Sequence, residues 1–412
     1  MTARTLDAEI AIIGAGAAGL AAAQALRARE RDCILLEASH RIGGRAYTEA
    51  LAPELPFDLG AHWIHSDQLN PFMTIAFEHG AELLEDAGDY MAADYFEHDQ
   101  WLPKTAYAEL SEYVAAQQAA LERAADAGGD QPVFDVIDSD SRWAPYFFMF
   151  FGQNYTCDVD EVSVHDAAGY VESGIDYAVK SGFGRLLESF GEDLPVALNT
   201  AVQEIDYSGP NVRLRTTKGE LQVAKVILTV STGILASRQI KFEPALPDWK
   251  LEAIRELPMG SSTRVGLTFE EDFLRDLPDA FTITVDDDGP LHFRNRPCGY
   301  DCLEVATGGR IAAWMEKTGE TGTVDYILGR LRRVVGDGQS MTVRRQIVSA
   351  WDNDAWSLGA YSYAKPGARQ QRVRLAEPLD DRIFFAGEAT SEKFYATVHG
   401  AYFSAMATVA NI

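Results

Sequence analysis

Residues Ala8–Ser39, AEIAIIGAGAAGLAAAQALRARERDCILLEAS, decide the fold. An apolar run breaks at Gly14, continues as an alanine-rich segment and gives way to a second apolar run, CILLE. That order predicts strand, tight turn, helix and strand, one βαβ unit of a parallel sheet. Gly14, Gly16 and Gly19 stand at the turn in G-x-G-x-x-G spacing. The first permits the turn, the second lets a pyrophosphate approach the backbone, and the third lets helix and strand pack closely. The helix start at Ala17 then offers amides and a dipole to an anion. Glu37 ends the second strand, followed by Ala38, where a carboxylate accepts hydrogen bonds from ribose hydroxyls and favours an unphosphorylated ribose.

Just beyond, HRIGGRAYT places Gly43 and Gly44 between Arg41 and Arg45. A guanidinium is a forked, permanently charged donor suited to phosphate. The bulk numbers narrow the partners. A chain of 412 residues with a formal charge of −26 is a poor match for nucleic acid or an anionic membrane, and draws cationic ligands. Four cysteines, Cys33, Cys157, Cys298 and Cys302, lack metal spacing and read as free thiols, and no spacing links the eight histidines. The longest apolar stretch, Ile10–Leu26, is interrupted by glycines and Gln24, and the start lacks a leader pattern. These features predict a soluble, cytoplasmic protein.

From about 70 to 123 the pattern reads as mainly helical, ending at Gly128 and Gly129. The aromatic run RWAPYFFMFFG fits either buried core or a channel wall. Residues 194–230 alternate in short steps with turn signals, a β-meander that returns to the buried strand VILTV. DRIFFAGEAT supplies a last buried strand before a small-residue helix. The expected architecture is α/β (α+β, two-domain). A Rossmann-like domain comprises 1–79, 185–260 and 365–412. A discontinuous domain, 80–184 and 261–364, carries a mixed sheet flanked by helices.

Several blocks together resemble the FAD-containing amine oxidases, a family that includes monoamine oxidases, polyamine oxidases and lysine-specific histone demethylases. They are IIGAGAAGL…LLEASHRIGGRAYT, FDLGAHWIHSDQLNP, LNTAVQEI, VILTVSTGIL, WDNDAWSLGAYSY and FFAGEATSEKFYATVHGAY. The second is closest to polyamine oxidases. The resemblance implies FAD held by Gly14, Gly16, Ala17, Gly19, Glu37, Ala38, Gly44 and Arg45. Gly60, Ala61, His62 and Trp63 would pass the flavin face, Val202 would meet the adenine side, and Trp351 would lie beside the flavin. Gly387 and Glu388 would serve the ribityl–diphosphate region, and Thr397 and Val398 the flavin edge. Tyr361 resembles one wall of the family's aromatic cage; Thr397 occupies the other, where tyrosine is usual in the oxidases. Ala360 stands where monoamine oxidases attach the cofactor through cysteine, which implies non-covalent FAD. The implied chemistry is oxidation of an amine, with the small-molecule amine and O2 as partners and hydrogen peroxide as product. His62 and Trp63 would meet the substrate; His65 and His399 read as structural or cofactor-side.

One position departs from the family. LPMGSSTRVGLTF puts Arg264 where the family carries a lysine. Arginine keeps its charge and cannot relay a proton. Three readings follow: Arg264 performs the lysine's electrostatic task, or binds a substrate carboxylate as in an amino-acid oxidase, or leaves oxygen reactivity slow, as in an amine dehydrogenase or desaturase.

Overall fold

In the computed structural model, which describes residues 6–86, 93–284 and 289–412, the strand Ala8–Ile13 lies parallel to both Cys33–Leu36 and the second half of Gly219–Leu228. The strand Gly219–Leu228 organises this eight-stranded sheet. Its first half pairs antiparallel with Val212–Thr216, and its end pairs parallel with Ile383–Phe385. The meander from Val202 to Leu228 thus forms, and the last buried strand joins the centre of the sheet. Central strands buried on both faces explain the unbroken apolar runs IAII and VIL.

Small residues set the layer above. A Cβ on Gly19 would lie 1.8 Å from the carbonyl oxygen of Gly14, so helix Ala17–Ala28 crosses its strand closer than any side chain allows. Ala21, Ala22 and Ala23 are buried, and the closing helix Val398–Ala410 packs on this helix through Ala405 and Val409.

A second, seven-stranded sheet has Ser262–Phe269 between Val343–Val348 and Leu303–Gly308, all antiparallel. Asp94–Glu97 adds to Ala280–Thr284 in parallel, which makes the sheet mixed. The helix Arg310–Val335 covers it, broken at Gly319 with φ 84°. We propose these two sheets as the cores of the two domains, with the borders drawn above.

The stretch from 70 to 123 is less helical than expected. Helix Pro71–Glu78 is followed by short strands at Leu83–Glu85, Asp94–Glu97 and Gln100–Trp101 before helix Lys104–Asp126. Strands of two to four residues carry no readable alternation, and the partners of the first two, Tyr177–Val179 and Ala280–Thr284, are remote in sequence. The aromatic run forms helix Ala144–Tyr155, with Tyr146, Phe147, Phe150 and Phe151 in a core cluster. All four cysteines are free, Cys157 and Cys302 buried. Among the described residues no helix is long and apolar enough to cross a membrane. Residues 1–5, which enter the reading of the chain start, lie outside the described residues.

Candidate functional site

Two glycine turns meet beneath the first helix. Gly16 caps helix Ala17–Ala28 with no side-chain cap, and Gly16 and Gly43 form an isolated parallel bridge. Gly14, Gly43 and Gly44 have φ of 104°, 94° and 58°, and a Cβ on Gly44 would come within 3.2 Å of the Gly16 Cα. The result is a backbone-lined cradle at a helix start, chemistry that suits a phosphate. Glu37 closes the cradle on the strand side. Its carboxylate accepts the Ala15 N–H at 2.7 Å and the Ser39 N–H at 2.8 Å, and Ala38 lies between. The Thr200 N–H donates to the Glu37 carbonyl at 2.7 Å, which brings the strand beginning at Val202 alongside.

The chain end returns to the same place. Arg45 donates through Nη1 to Ala360 O at 2.7 Å and to Glu388 Oε1 at 2.9 Å. Gly387, φ 142°, precedes Glu388, and its N–H is held by Ser404 Oγ at 2.8 Å. A Cβ on Gly60 would sit 1.9 Å from Arg45 O and 3.0 Å from the Trp351 ring, so the strand exit at Gly60–Ala61 lies flat between them. Trp351 is anchored by its indole N–H to Leu59 O at 2.7 Å. Thr397 caps the closing helix, which starts at Val398. Its hydroxyl accepts from the Gly400 N–H at 3.0 Å and donates to Phe394 O at 2.7 Å. The single proton of that hydroxyl is used, and the Gly400 amide is spent on it.

A second cluster gathers His62, Trp63 and Arg264. The Arg264 guanidinium lies 5.4 Å from the Trp63 ring, and the His62 and Trp63 rings meet edge-on at 4.8 Å. The sequence reading missed what surrounds them. Arg264, on strand Ser262–Phe269, forms a buried ion pair through Nη2 with Glu304 of the neighbouring strand. Arg294 reaches Glu304 at 3.4 Å and also pairs with Asp86, which accepts from the Trp63 indole at 3.1 Å. Burial alone would raise the Glu304 carboxyl, but the charges of Arg264 and Arg294 outweigh it and hold it at about 2. His62 Nδ1 faces Asp58 Oδ2 at 2.9 Å. Its Nε2 lies 3.9 Å from Asp86 Oδ2, so the ring stands between two carboxylates. His62 Nε2 and Arg264 Nε are buried and have no hydrogen-bond partner among the described residues. Both residues line a cavity of about 20 Å³ together with Phe57, Cys298, Tyr300 and Glu304. That volume admits about one water.

Tyr361 packs at the margin of the Phe57–Leu59–Trp351 cluster, and its hydroxyl donates to Gln153 O at 3.0 Å. Ala360 is buried and carries no nucleophile. His399 is buried and bonded to Asn70 at 3.2 Å; burial, and then the field of His65, push it down to about 3. It is neutral at physiological pH.

The flavin containing amine oxidoreductase family model matches residues 17–412. Among curated proteins, the chain is 28% identical to polyamine oxidase 3 of Oryza sativa subsp. japonica, over 95% of this chain and 86% of that one. It is 28% identical to polyamine oxidase 2 of Arabidopsis thaliana, over 97% and 86%. A lysine-specific histone demethylase 1 homolog 3 of Oryza sativa subsp. japonica is 27% identical over 98% of this chain and 54% of its own length.

Proposed function

The chain belongs to the flavin containing amine oxidoreductase family, whose cofactor is FAD, and from that premise we propose that it oxidises a polyamine-like or other primary or secondary amine. The observation that carries the reading is the meeting of the two glycine turns with Arg45 and the chain end.

The residues present fit the cofactor. The Gly14–Gly19 and Gly43–Gly44 cradle, where Gly16 and Gly44 face each other without side chains, matches a diphosphate; Glu37 and Val202 suit the adenosine half. Trp351, Gly60 and Ala61 would border the ring system, and the buried Ala360 fits non-covalent binding. Bound FAD would accept a hydride equivalent from the carbon beside the substrate nitrogen and pass the electrons to O2, giving an imine and hydrogen peroxide.

The protein's own part is binding, orientation and charge. Trp63 and Tyr361 offer ring faces to an alkyl amine. His62, held at Nδ1 by Asp58, offers Nε2 as a hydrogen-bonding group to the substrate nitrogen or to a water. Arg264 supplies a fixed positive charge in a dry site, where it stabilises negative charge that develops nearby. Water then hydrolyses the released imine to a carbonyl product.

The Glu304 pairing favours an amine over an amino acid. Arg264 already has a buried anion at Nη2, so a substrate carboxylate would have to compete with Glu304. The test is anaerobic mixing with putrescine, spermidine, spermine, simple monoamines and amino acids, followed by air. Bleaching of the yellow colour by amines, and its return in air, supports the proposal. No bleaching with any amine overturns it, and bleaching only by amino acids moves Arg264 to the carboxylate role. Bleaching without return in air assigns a different electron acceptor.

A further inference from the structure

Glu388 has no acceptor position left for a ligand. A carboxylate offers about four lone-pair sites, two on each oxygen. Here Oε1 accepts from Arg45 Nη1 at 2.9 Å and from the Ser362 N–H at 3.1 Å. Oε2 accepts from the Ser362 hydroxyl at 2.7 Å and from the Ala396 N–H at 3.0 Å. The residue itself is 5% exposed.

The hydroxyl bond is directed from behind. Arg372 is fully buried, and its Nη1 donates to Ser362 Oγ at 3.0 Å. Arginine has no acceptor, so Ser362 Oγ must accept there, and its single proton is left for Glu388. Arg372 is in turn fixed by a bidentate pair with the buried Asp166, at 2.8 Å through both Nε and Nη2, and its guanidinium lies 4.0 Å above the Tyr395 ring. The charges alternate along the line Asp166, Arg372, Glu388, Arg45, with Ser362 as the neutral joint. Only the last member reaches outward: Arg45 is 26% exposed in its side chain, and its Nε and Nη2 donate to nothing among the described residues.

We propose that the Glu388 carboxylate is a positioning group rather than a ligand of FAD: the Asp166–Arg372–Ser362 relay saturates it so that it aims Arg45, and Arg45 is the side chain that touches the cofactor's diphosphate. This rests on the reading that the glycine cradle holds FAD. Ala396, with φ 63°, is pinned by the same carboxylate, so the relay also sets where the closing helix begins.

The two roles of Glu388 predict opposite effects of Ser362→Ala. If Glu388 were a ligand, losing the hydroxyl would free an acceptor site, and FAD would bind as well or better. If it positions Arg45, the carboxylate loses a charge-assisted bond and FAD binding weakens roughly tenfold. The measurement is release of FAD on serial dilution of the purified holoprotein, followed by the fluorescence of free FAD, for wild type, Ser362→Ala, Arg45→Lys and the double variant. Support is a weaker Ser362→Ala whose effect shrinks in the Arg45→Lys background, because the serine acts through Arg45. A Ser362→Ala protein that holds FAD at least as tightly as wild type, or two effects that simply add, overturns the relay. Arg45→Lys with unchanged FAD affinity overturns it by a different route, because then the site does not hold the diphosphate at all.

Discussion

Glu304→Gln isolates the buried charge cluster. In the folded chain the Glu304 carboxyl is fully enclosed, faces Arg264 Nη2 and Arg294 Nη1, and is held at about 2 against an ordinary 4.5. A folded value below the unfolded one means that the unfolded chain binds more protons between those limits. The stability is therefore complete above pH 4.5 and is lost as pH falls toward 2. A depression of that size corresponds to roughly 3 kcal/mol at neutral pH, and to about a quarter less at pH 4. Removing one member of a buried pair independently suggests about 3–5 kcal/mol, because Arg264 would keep its charge without its anion. The two routes agree in size.

The assay is urea unfolding of wild type and Glu304→Gln at pH 7 and pH 4 in one buffer series. The variant should be less stable by about 3 kcal/mol at pH 7, and the gap should narrow by roughly a quarter at pH 4. A variant as stable as wild type at pH 7 would refute the reasoning. So would a gap that ignores pH, which would mean that packing and not charge makes the difference.

Three further outcomes follow from the same structure. Gly19→Ala puts a Cβ 1.8 Å from Gly14 O, and overpacking of this kind costs about 1–3 kcal/mol or more. The purified variant should be nearly colourless, read as absorbance at 450 nm per chain, and a fully yellow protein would remove the cradle from the cofactor site. Thr397→Ala deletes the cap of the closing helix and should cost about 1 kcal/mol in urea, whereas Thr397→Ser should behave as wild type. Lys250 is buried and donates to the carbonyls of Arg374, Leu375 and Glu377 at 3.0, 2.9 and 2.6 Å. Lys250→Met should destabilise the fold by about 2–4 kcal/mol by orphaning them. Burial pushes the Lys250 ammonium down to about 7, so the unfolded chain holds the extra proton between pH 7 and 10.5. Wild type should therefore gain stability on Lys250→Met as pH rises through that window, and a flat difference counts against a depressed lysine.

What could be read from the sequence was local. The G-x-G-x-x-G turn announces itself because backbone at φ 104° and a helix packed so that a Cβ would lie 1.8 Å from a carbonyl oxygen admit only glycine, and both demands fall within six residues. The same holds for Glu37, whose place at a strand end follows from the strand. Arg264 was visible as a departure from the family, but not its state. Its partner is set by strand register: Arg264 stands opposite Ala306, and Glu304 lies two residues along, on the same face of the sheet. No local pattern encodes that offset. Yet each strand held half of a clue, an arginine in STRVGLTF and a glutamate in CLEVATG, charges that strands this apolar cannot bury singly. Two such misfits in one chain are each the other's most economical solution. Glu388 is the opposite case: an acid after a glycine suggests a ligand, and only the count of its four acceptor bonds, drawn from Arg45, Ser362 and Ala396, shows a carboxylate already filled by the protein. A motif can name the residue at a site; whether that residue has a hydrogen-bonding site to spare depends on contacts outside the motif, here 8, 26 and 343 positions away.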